Sequence, residues 1–361
     1  MMDKGRFFTS LRFVLNEKDC GTAFKNPVNW PQLTKTKKLM PKINPKNIYF
    51  FEVEDEDRGL VTAKCPNARI FKEPFSEKNA KACASAEILC GFVHSVFSEE
   101  SIKKCPNLKL IVTRSVGYDK IDLKYANSLG IAVCNVPDYG SHVIAEHVFA
   151  LLLASIRNVL EGEDRTAHDL FTWKGLRGIA LKGKTLGVVG TGKIGMNVCR
   201  IASLGFLMDV IAYDKFPIPS MAREHHFTYV KSLDELLKRA DVITLHMPLF
   251  EETRHLINKT TIGKMKDGCV LINTARGGLI DTPALVKAIK AKKFSHVALD
   301  VIEHEENLKE DKKLLHLPGV IITPHIAFYA DDSMKRMYEE SLVSIDAFLQ
   351  DKELRYRVHG H

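Results

Sequence analysis

The sequence lacks the marks of several protein classes. It has no C-x-x-C, although it carries eight cysteines, at positions 20, 65, 83, 90, 105, 134, 199 and 269. Their spacing matches neither a zinc nor a disulfide framework, which predicts free thiols in a reducing cytoplasm. No apolar run approaches the ~18 residues that a membrane span requires. The longest, Val148 to Ala154, is less than half that. No secretory signal is visible, because Met1 to Val14 mixes Arg, Lys and Asp among its apolar positions. The Arg-containing, acid-poor residues 4–15 resemble an organelle transit peptide only weakly. Solenoid-period repeats and low-complexity tracts are absent too. These exclusions point to a soluble globular chain. Its 361 residues are 45% hydrophobic and 27% charged, enough for two domains or a little more at ~150 residues each.

The formal net charge of +8 suggests nucleic acid until it is located. Residues 1–46 hold ten Lys/Arg against three acids, and the remaining 315 residues hold 42 against 41. The basic character therefore belongs to an N-terminal extension that also contains Pro27, Pro31, Pro41 and Pro45. This segment is expected to be a poorly ordered, solvated arm rather than a nucleic-acid site.

From Ile48 onward, short apolar runs alternate with helical patterns. Strands are expected at 48–53, 88–93, 108–112 and 131–134, with helices at 98–104 and 122–129. A long helix is expected from about Ile144 to Ala167. A second alternating block follows, with strands at 184–189, 209–213, 242–246, 269–273, 296–299 and 320–323. Helices at 194–204, 232–239 and 282–292 lie between them, the second opened by a capping-box signal, Ser232 with Glu235. Such alternation is the mark of βαβ units and parallel sheets, here as two lobes with a cleft between them.

Gly190-Thr191-Gly192-Lys193-Ile194-Gly195 is a G-x-G-x-x-G directly after an apolar strand and opening a helix. Its glycines would allow a tight turn, backbone approach to a pyrophosphate and close helix–strand packing, with the helix N-terminus offering N–H groups to the phosphates. Asp214 follows at the end of the next strand, where an acid would take the adenine-ribose hydroxyls. A carboxylate there repels a 2′-phosphate and favours NAD over NADP, although Lys215 adjoins it.

Three later strand ends each deliver a polar group: Arg276 in Asn273-Thr274-Ala275-Arg276-Gly277-Gly278, the acids of Asp300 to Glu305, and His325 in Thr323-Pro324-His325. The carboxyl ends of strands line the ligand crevice in open α/β sheets. Arg can clamp a carboxylate or polarise a carbonyl, and His moves protons near neutrality. A neighbouring carboxylate would fix the His tautomer. The set suits hydride chemistry on a hydroxy acid. The run Glu303-His304-Glu305-Glu306 is better explained as an exposed acidic turn than as a metal site, and no His pair has zinc spacing.

The strings G-T-G-K-I-G, N-T-A-R-G, D-V-x-E-x-E and T-P-H-x-A-F-Y, in this order, resemble the D-isomer-specific 2-hydroxyacid dehydrogenase family. Together with Thr113 to Asp119 they are most similar to its D-lactate dehydrogenase branch. The similarity runs from about residue 47 to about 350. It implies two Rossmann-like parallel-sheet domains, flavodoxin-like and NAD-binding, with the active site in the cleft between them. The substrate domain would be 47–140 plus 326–361, and the inserted NAD domain 141–325.

It further implies Arg276, Glu305 and His325 as catalytic residues, with Arg276 gripping the 2-oxo acid and His325 exchanging the proton. Glu305 would hold His325 protonated for reduction. Ser115, Val116 and Gly117 would bind the substrate carboxylate through backbone N–H groups, and Tyr139 and Tyr329 would border the substrate. Besides the glycine motif and Asp214, the cofactor would meet Met247, Pro248, Thr274, Ala275, Arg276 and Asp300. Most members are dimers, commonly through the cofactor domain. Pyruvate and D-lactate are the leading pair. Glyoxylate, hydroxypyruvate, phosphoglycerate, longer 2-oxo acids and phosphite are alternatives on the same scaffold. About 35 residues follow His325, too few for the appended regulatory domain of many phosphoglycerate dehydrogenases. An NAD-sensing, corepressor-like binding protein is the alternative of another class. The family commonly has Pro soon after the catalytic Glu, where this chain reads Glu305-Glu306-Asn307. His94, after an apolar strand, is a further candidate substrate neighbour, and Trp173 is expected to pack against the cofactor domain.

Overall fold

A computed structural model describes residues 47–358. The basic segment 1–46, Cys20, His359 and His361 lie outside the described residues. Two all-parallel sheets form the frame. Strands β1 (Ile48–Phe50), β2 (Arg69–Ile70), β3 (Ile88–Gly91), β4 (Leu110–Thr113) and β5 (Ala132–Cys134) pair in the order β2-β1-β3-β4-β5. Strands β6 (Thr185–Val189), β7 (Asp209–Tyr213), β8 (Thr228–Tyr229), β9 (Val242–Leu245), β10 (Cys269–Asn273), β11 (Phe294–Leu299) and β12 (Val320–Ile322) pair as β12-β11-β10-β9-β6-β7-β8. This is the expected α/β architecture of two parallel-sheet domains. The strands β2 and β8 escaped the sequence reading because two residues carry no periodicity.

The strands read as unbroken apolar runs because both faces of each sheet are covered. Alternate residues feed separate cores. Val270 and Ile272 of β10 join Val242, Val188 and Leu152, whereas Cys269 and Leu271 join Ile243, Leu245 and Leu285 on the opposite face. In the smaller sheet Ile48 and Phe50 face one core and Tyr49 the other. The helix Asp331–Leu349 returns to the smaller sheet, placing Met337, Tyr338, Leu342 and Ile345 in the core of Ile48 and Phe50.

Within this sheet, Arg114 is fully buried. Its guanidinium donates to the carbonyls of Phe51 (2.8 Å), Glu52 (2.7 Å) and Cys90 (3.4 Å). It lies over the rings of Tyr338 (4.9 Å) and Phe92 (5.4 Å). Arg114 thereby ties the ends of β1 and β3 to the returning helix. The seven described cysteines are buried and unbridged.

Three local expectations are corrected. The long helix is two helices, Ser141–Ile156 and Val159–Ala167, bent by 61°. Asn158 at the break adopts φ 51°, a left-handed conformation that Asn tolerates better than most residues. At the capping box, Ser232 accepts from the Glu235 N–H, but the Glu235 carboxylate accepts from Lys231 N–H rather than from Ser232. Trp173 does not pack on the cofactor domain: it is 82% exposed, beside Phe171 at 93%. No single described helix is long and apolar enough to cross a membrane. The bent pair has the length and composition, but Val148, Leu151 and Leu152 of its first half sit in the core of the larger sheet.

Candidate active site

In the larger sheet the chain runs outward from β6 to β7 and β8, then returns to the other side of β6 as β9. A crevice opens at such a reversal, outside the carboxyl ends of the strands, and the glycine motif follows β6 there. Gly190 has φ +95°, and a Cβ on Gly195 would fall 2.0 Å from the Gly190 carbonyl oxygen. Both positions are closed to larger residues by backbone alone. Gly192, at the helix N-terminus, faces open space instead. Asp214 accepts from Thr191 N–H (2.6 Å), the Thr191 hydroxyl (2.9 Å) and Phe216 N–H (2.8 Å), which ties the end of β7 to the turn. The Thr191 hydroxyl is thus directed at Asp214 and Tyr229 rather than into the crevice.

Two adjoining cavities, of about 450 and 390 Å³, occupy the cleft. The larger is lined by Gly192, Lys193, Ile194, Met247, Pro248, Thr274 and Ala275 of one sheet. Ser115, Val116, Gly117 and Tyr139 of the other complete it. Arg276 and His325 border both cavities, and Glu305 borders the smaller. Lys193 pairs with Asp138 at 2.9 Å. Tyr139 is buried, which pushes its phenol up to about 12.

Segments after eight strands converge here: β3, β4, β5, β6, β9, β10, β11 and β12. His325 sits three residues past β12 with φ +55°, a strained conformation for a non-glycine residue of the kind found at functional sites. Its Nδ1 lies 3.0 Å from Glu305 Oε2, which leaves Nε2 as the ring nitrogen available for proton exchange. The strain is held by Asp300, which is 1% exposed. Asp300 Oδ1 accepts from the Thr323 hydroxyl (2.6 Å) and Ile326 N–H (2.9 Å), Oδ2 from Ala327 N–H (2.9 Å), and its carbonyl from His325 N–H (2.8 Å). Burial pushes the Asp300 carboxyl up. Hydrogen bonds from His147, Thr323, Ala327 and Ile326 outweigh that and hold it below the usual carboxylate value.

Arg276, three residues past β10, crosses the cleft. Its Nε and Nη2 both donate to Asp119 Oδ1 (3.1 Å each), and Nη1 donates to the Ala275 carbonyl (2.8 Å). A Cβ on Gly117 would lie 1.8 Å from Arg276 Nη2. The guanidinium therefore fills the space that Gly117 leaves.

Comparison with known proteins shows the family. The model of the D-isomer specific 2-hydroxyacid dehydrogenase NAD binding domain matches residues 149–327. A D-lactate dehydrogenase of Curvularia clavata is 36% identical over 76% of this chain and 81% of its own. The chain belongs to the D-isomer-specific 2-hydroxyacid dehydrogenase family. An aromatic 2-oxoacid reductase of Clostridium sporogenes is 38% identical over 69% of this chain and 78% of its own. Among solved structures, a D-lactate dehydrogenase of Aquifex aeolicus complexed with NAD and lactic acid superposes with a TM-score of 0.79. It is 39% identical, over 87% of this chain and all of the other. The chain is accordingly an NAD-dependent oxidoreductase acting on CH–OH groups.

The residues present in the dehydrogenase fit the dinucleotide. Gly192 leaves open space at a helix N-terminus, and the buried Thr274 hydroxyl, on the cavity wall, has no hydrogen-bond partner among the described residues. Two site expectations are corrected. Asp300 does not line either cavity; it is walled off beneath the turn that carries His325. Tyr329 lines neither cavity, is 49% exposed, and donates to Glu56 Oε1 (2.5 Å). His94 is exposed and lines neither cavity. Phe328 stands on the larger cavity's wall, edge-on to His325 and to Phe92.

Asp119 was unassigned in the sequence, although it ends the Thr113-to-Asp119 string. His147 Nε2 lies 3.2 Å from the Thr323 hydroxyl and 3.4 Å from Asp300. The acidic turn resolves into separate pairs: Glu303 with His255 (2.6 Å), His304 with Asp311 (3.1 Å) and Glu305 with His325. Among the described residues no group of three or more His, Cys, Asp or Glu is placed to hold a metal.

Gly117→Ala should push the guanidinium of Arg276 aside and lower kcat/KM by ~10²-fold, the order of loss that an ångström of misplacement causes. Stability should move by less than ~1 kcal/mol, because the displaced group is a flexible side-chain end. Steady-state kinetics with a thermal melt checks this, and unaltered kcat/KM would refute it. Asp300→Asn should cost ~3 kcal/mol at neutral pH by breaking charge-assisted hydrogen bonds. Because the folded carboxyl titrates lower than the unfolded one at about 4, its stabilisation is complete above that value and is lost as pH falls through the folded value. Urea titrations should therefore show the gap between the two proteins narrowing below about pH 4. A gap unchanged from pH 7 to pH 3 would contradict the role.

Proposed function

We propose that the dehydrogenase works mainly as a 2-oxo acid reductase, with pyruvate to D-lactate as its leading reaction. The observation that carries the reading is that Arg276 and His325, the latter paired with Glu305, border the same cavity as Gly192 of the glycine turn. The lobe formed by 47–140 and 326–361 would hold the substrate, and 141–325 the cofactor. Gly190 to Gly195 would cradle the pyrophosphate, and Asp214 would take the ribose hydroxyls while bracing the turn. Met247 and Pro248 would flank the adenosine, and Thr274 and Ala275 the nicotinamide.

NADH, when bound, supplies the hydride. The chain's own residues do the rest. Backbone N–H groups of the Ser115-to-Gly117 loop and the guanidinium of Arg276 bind the substrate carboxylate, and Arg276 also polarises the keto oxygen. His325 delivers a proton to that oxygen from Nε2 and takes it back in the reverse direction. Glu305 accepts at Nδ1 and so fixes which ring nitrogen faces the substrate. Tyr139, Val93 and Phe328 give the side-chain end an apolar wall.

His325→Ala should lower kcat by ~10² to 10⁴-fold, the usual worth of a general acid, while NADH binding measured by fluorescence stays intact. Undiminished turnover would remove His325 from the mechanism. The same assay of NADH oxidation, run across pyruvate, 2-oxobutyrate, phenylpyruvate, glyoxylate, hydroxypyruvate and 3-phosphohydroxypyruvate, should rank pyruvate first. A different leader would keep the chemistry and move the substrate.

The same reading includes a homodimer in the reducing cytoplasm, formed through the cofactor lobe. Its support is the apolar surface of Val159, Leu160, Leu170, Phe171 and Trp173, each more than half exposed, a patch that monomers seldom leave uncovered. Light scattering should give twice the 40.6 kDa chain mass, and a Phe171→Ser/Trp173→Glu variant should fall to a single chain. A monomeric parent protein at micromolar concentration would defeat this assignment.

A further inference from the structure

We propose that Asp119 is a positioning residue that sets the orientation of Arg276 for the reduction. The proposal rests on the reading of Arg276 as the group that grips the substrate. A guanidinium carries five N–H donors in a rigid plane, and a free one can rotate about the last bonds of its stem. Here Asp119 Oδ1 accepts from both Nε and Nη2 at 3.1 Å, and Nη1 donates to the Ala275 carbonyl at 2.8 Å. Three donors are committed. One N–H each on Nη1 and Nη2 is left to meet a carboxylate oxygen and a keto oxygen together.

The holder is itself held. Thr113 and Ser115 share a hydroxyl–hydroxyl bond (2.8 Å), the Ser115 hydroxyl donates to the Gly117 carbonyl (2.6 Å), and Asn135 Nδ2 donates to the Val116 carbonyl (2.8 Å). On the other side of Asp119, Lys120 reaches Glu306 across the cleft at 2.9 Å. The loop that would touch the substrate carboxylate is thus braced at both ends, and Asp119 projects from it onto Arg276. The contact joins residues 157 positions apart, so substrate loop and guanidinium are aligned by one carboxylate.

The arrangement separates geometry from charge. Asp119 opposes part of the positive charge that attracts an anionic substrate, so a role in affinity alone would make its removal favourable. Asp119→Ala should instead lower kcat by ~30-fold, with KM changing less than about threefold, because orientation matters most when the keto oxygen gains charge. Asp119→Asn keeps an oxygen that can accept from both Nε and Nη2, and should hold kcat within about threefold of the parent protein. NADH binding should be equal in all three, which reports an intact fold.

In an Arg276→Met background, Asp119→Ala should cause no further loss, the non-additivity expected of residues acting as a unit. The proposal is overturned if Asp119→Ala turns over like the parent, if Ala and Asn fall equally, or if the two losses multiply. Arg276→Met keeping full turnover would overturn the underlying reading of Arg276, and this proposal with it. Arg276→Met crippled while Asp119→Ala is unimpaired would overturn the proposal alone.

Discussion

The site depends first on one buried carboxylate. Asp300 ends β11 and is shut away from solvent, yet it is held ionised by donors from three neighbouring positions after β12, Thr323, Ile326 and Ala327. Those hydrogen bonds allow the chain to turn back at His325 through a left-handed backbone conformation that a histidine rarely adopts. The imidazole consequently faces Glu305 and the cavity. Without the carboxylate, three donors would compete for other partners and the ring would lose its fixed direction. A charged group buried for this purpose tolerates little substitution, because each oxygen is matched to donors whose spacing the turn sets.

Around that point the molecule is organised by strand ends. Each parallel sheet reverses its strand order once and so opens a crevice at its carboxyl edge. The long reach of Arg276 from one lobe to Asp119 of the other, with Lys120 and Glu306 beside it, links the two edges. Oppositely charged neighbours at 119 and 120 meet opposite charges at 276 and 306. Sliding one lobe past the other would bring like charges together, so the pairing specifies register as well as closeness.

The glycines show the same economy of space. Gly190 and Gly195 let a turn and a helix approach each other closely, Gly192 leaves open space at a helix N-terminus, and Gly117 leaves room for a guanidinium. Only the last was invisible as a steric requirement in the sequence, because the group that fills its space comes from residue 276.

Two α/β lobes and the glycine turn were legible in the amino-acid sequence alone, which also brought Arg276, Glu305 and His325 forward as candidates. Local chemistry carries these: apolar runs of strand length, G-x-G-x-x-G after a strand, and polar residues just past strand ends. The family motif singled out Glu305 from the neighbouring Glu303, His304 and Glu306, and Glu305 is the one that pairs with His325. Tertiary structure alone decided the rest. The expected helix to Ala167 breaks at Asn158, since helical periodicity continues through a residue whose backbone leaves the helix. Tyr329 and Trp173 are exposed, because what surrounds a side chain depends on packing far away in the chain. Asp300 proved to be a buried brace rather than a cavity wall, and Asp119 a partner of Arg276. Both facts depend on contacts between residues 23 to 157 positions apart, which no local pattern encodes.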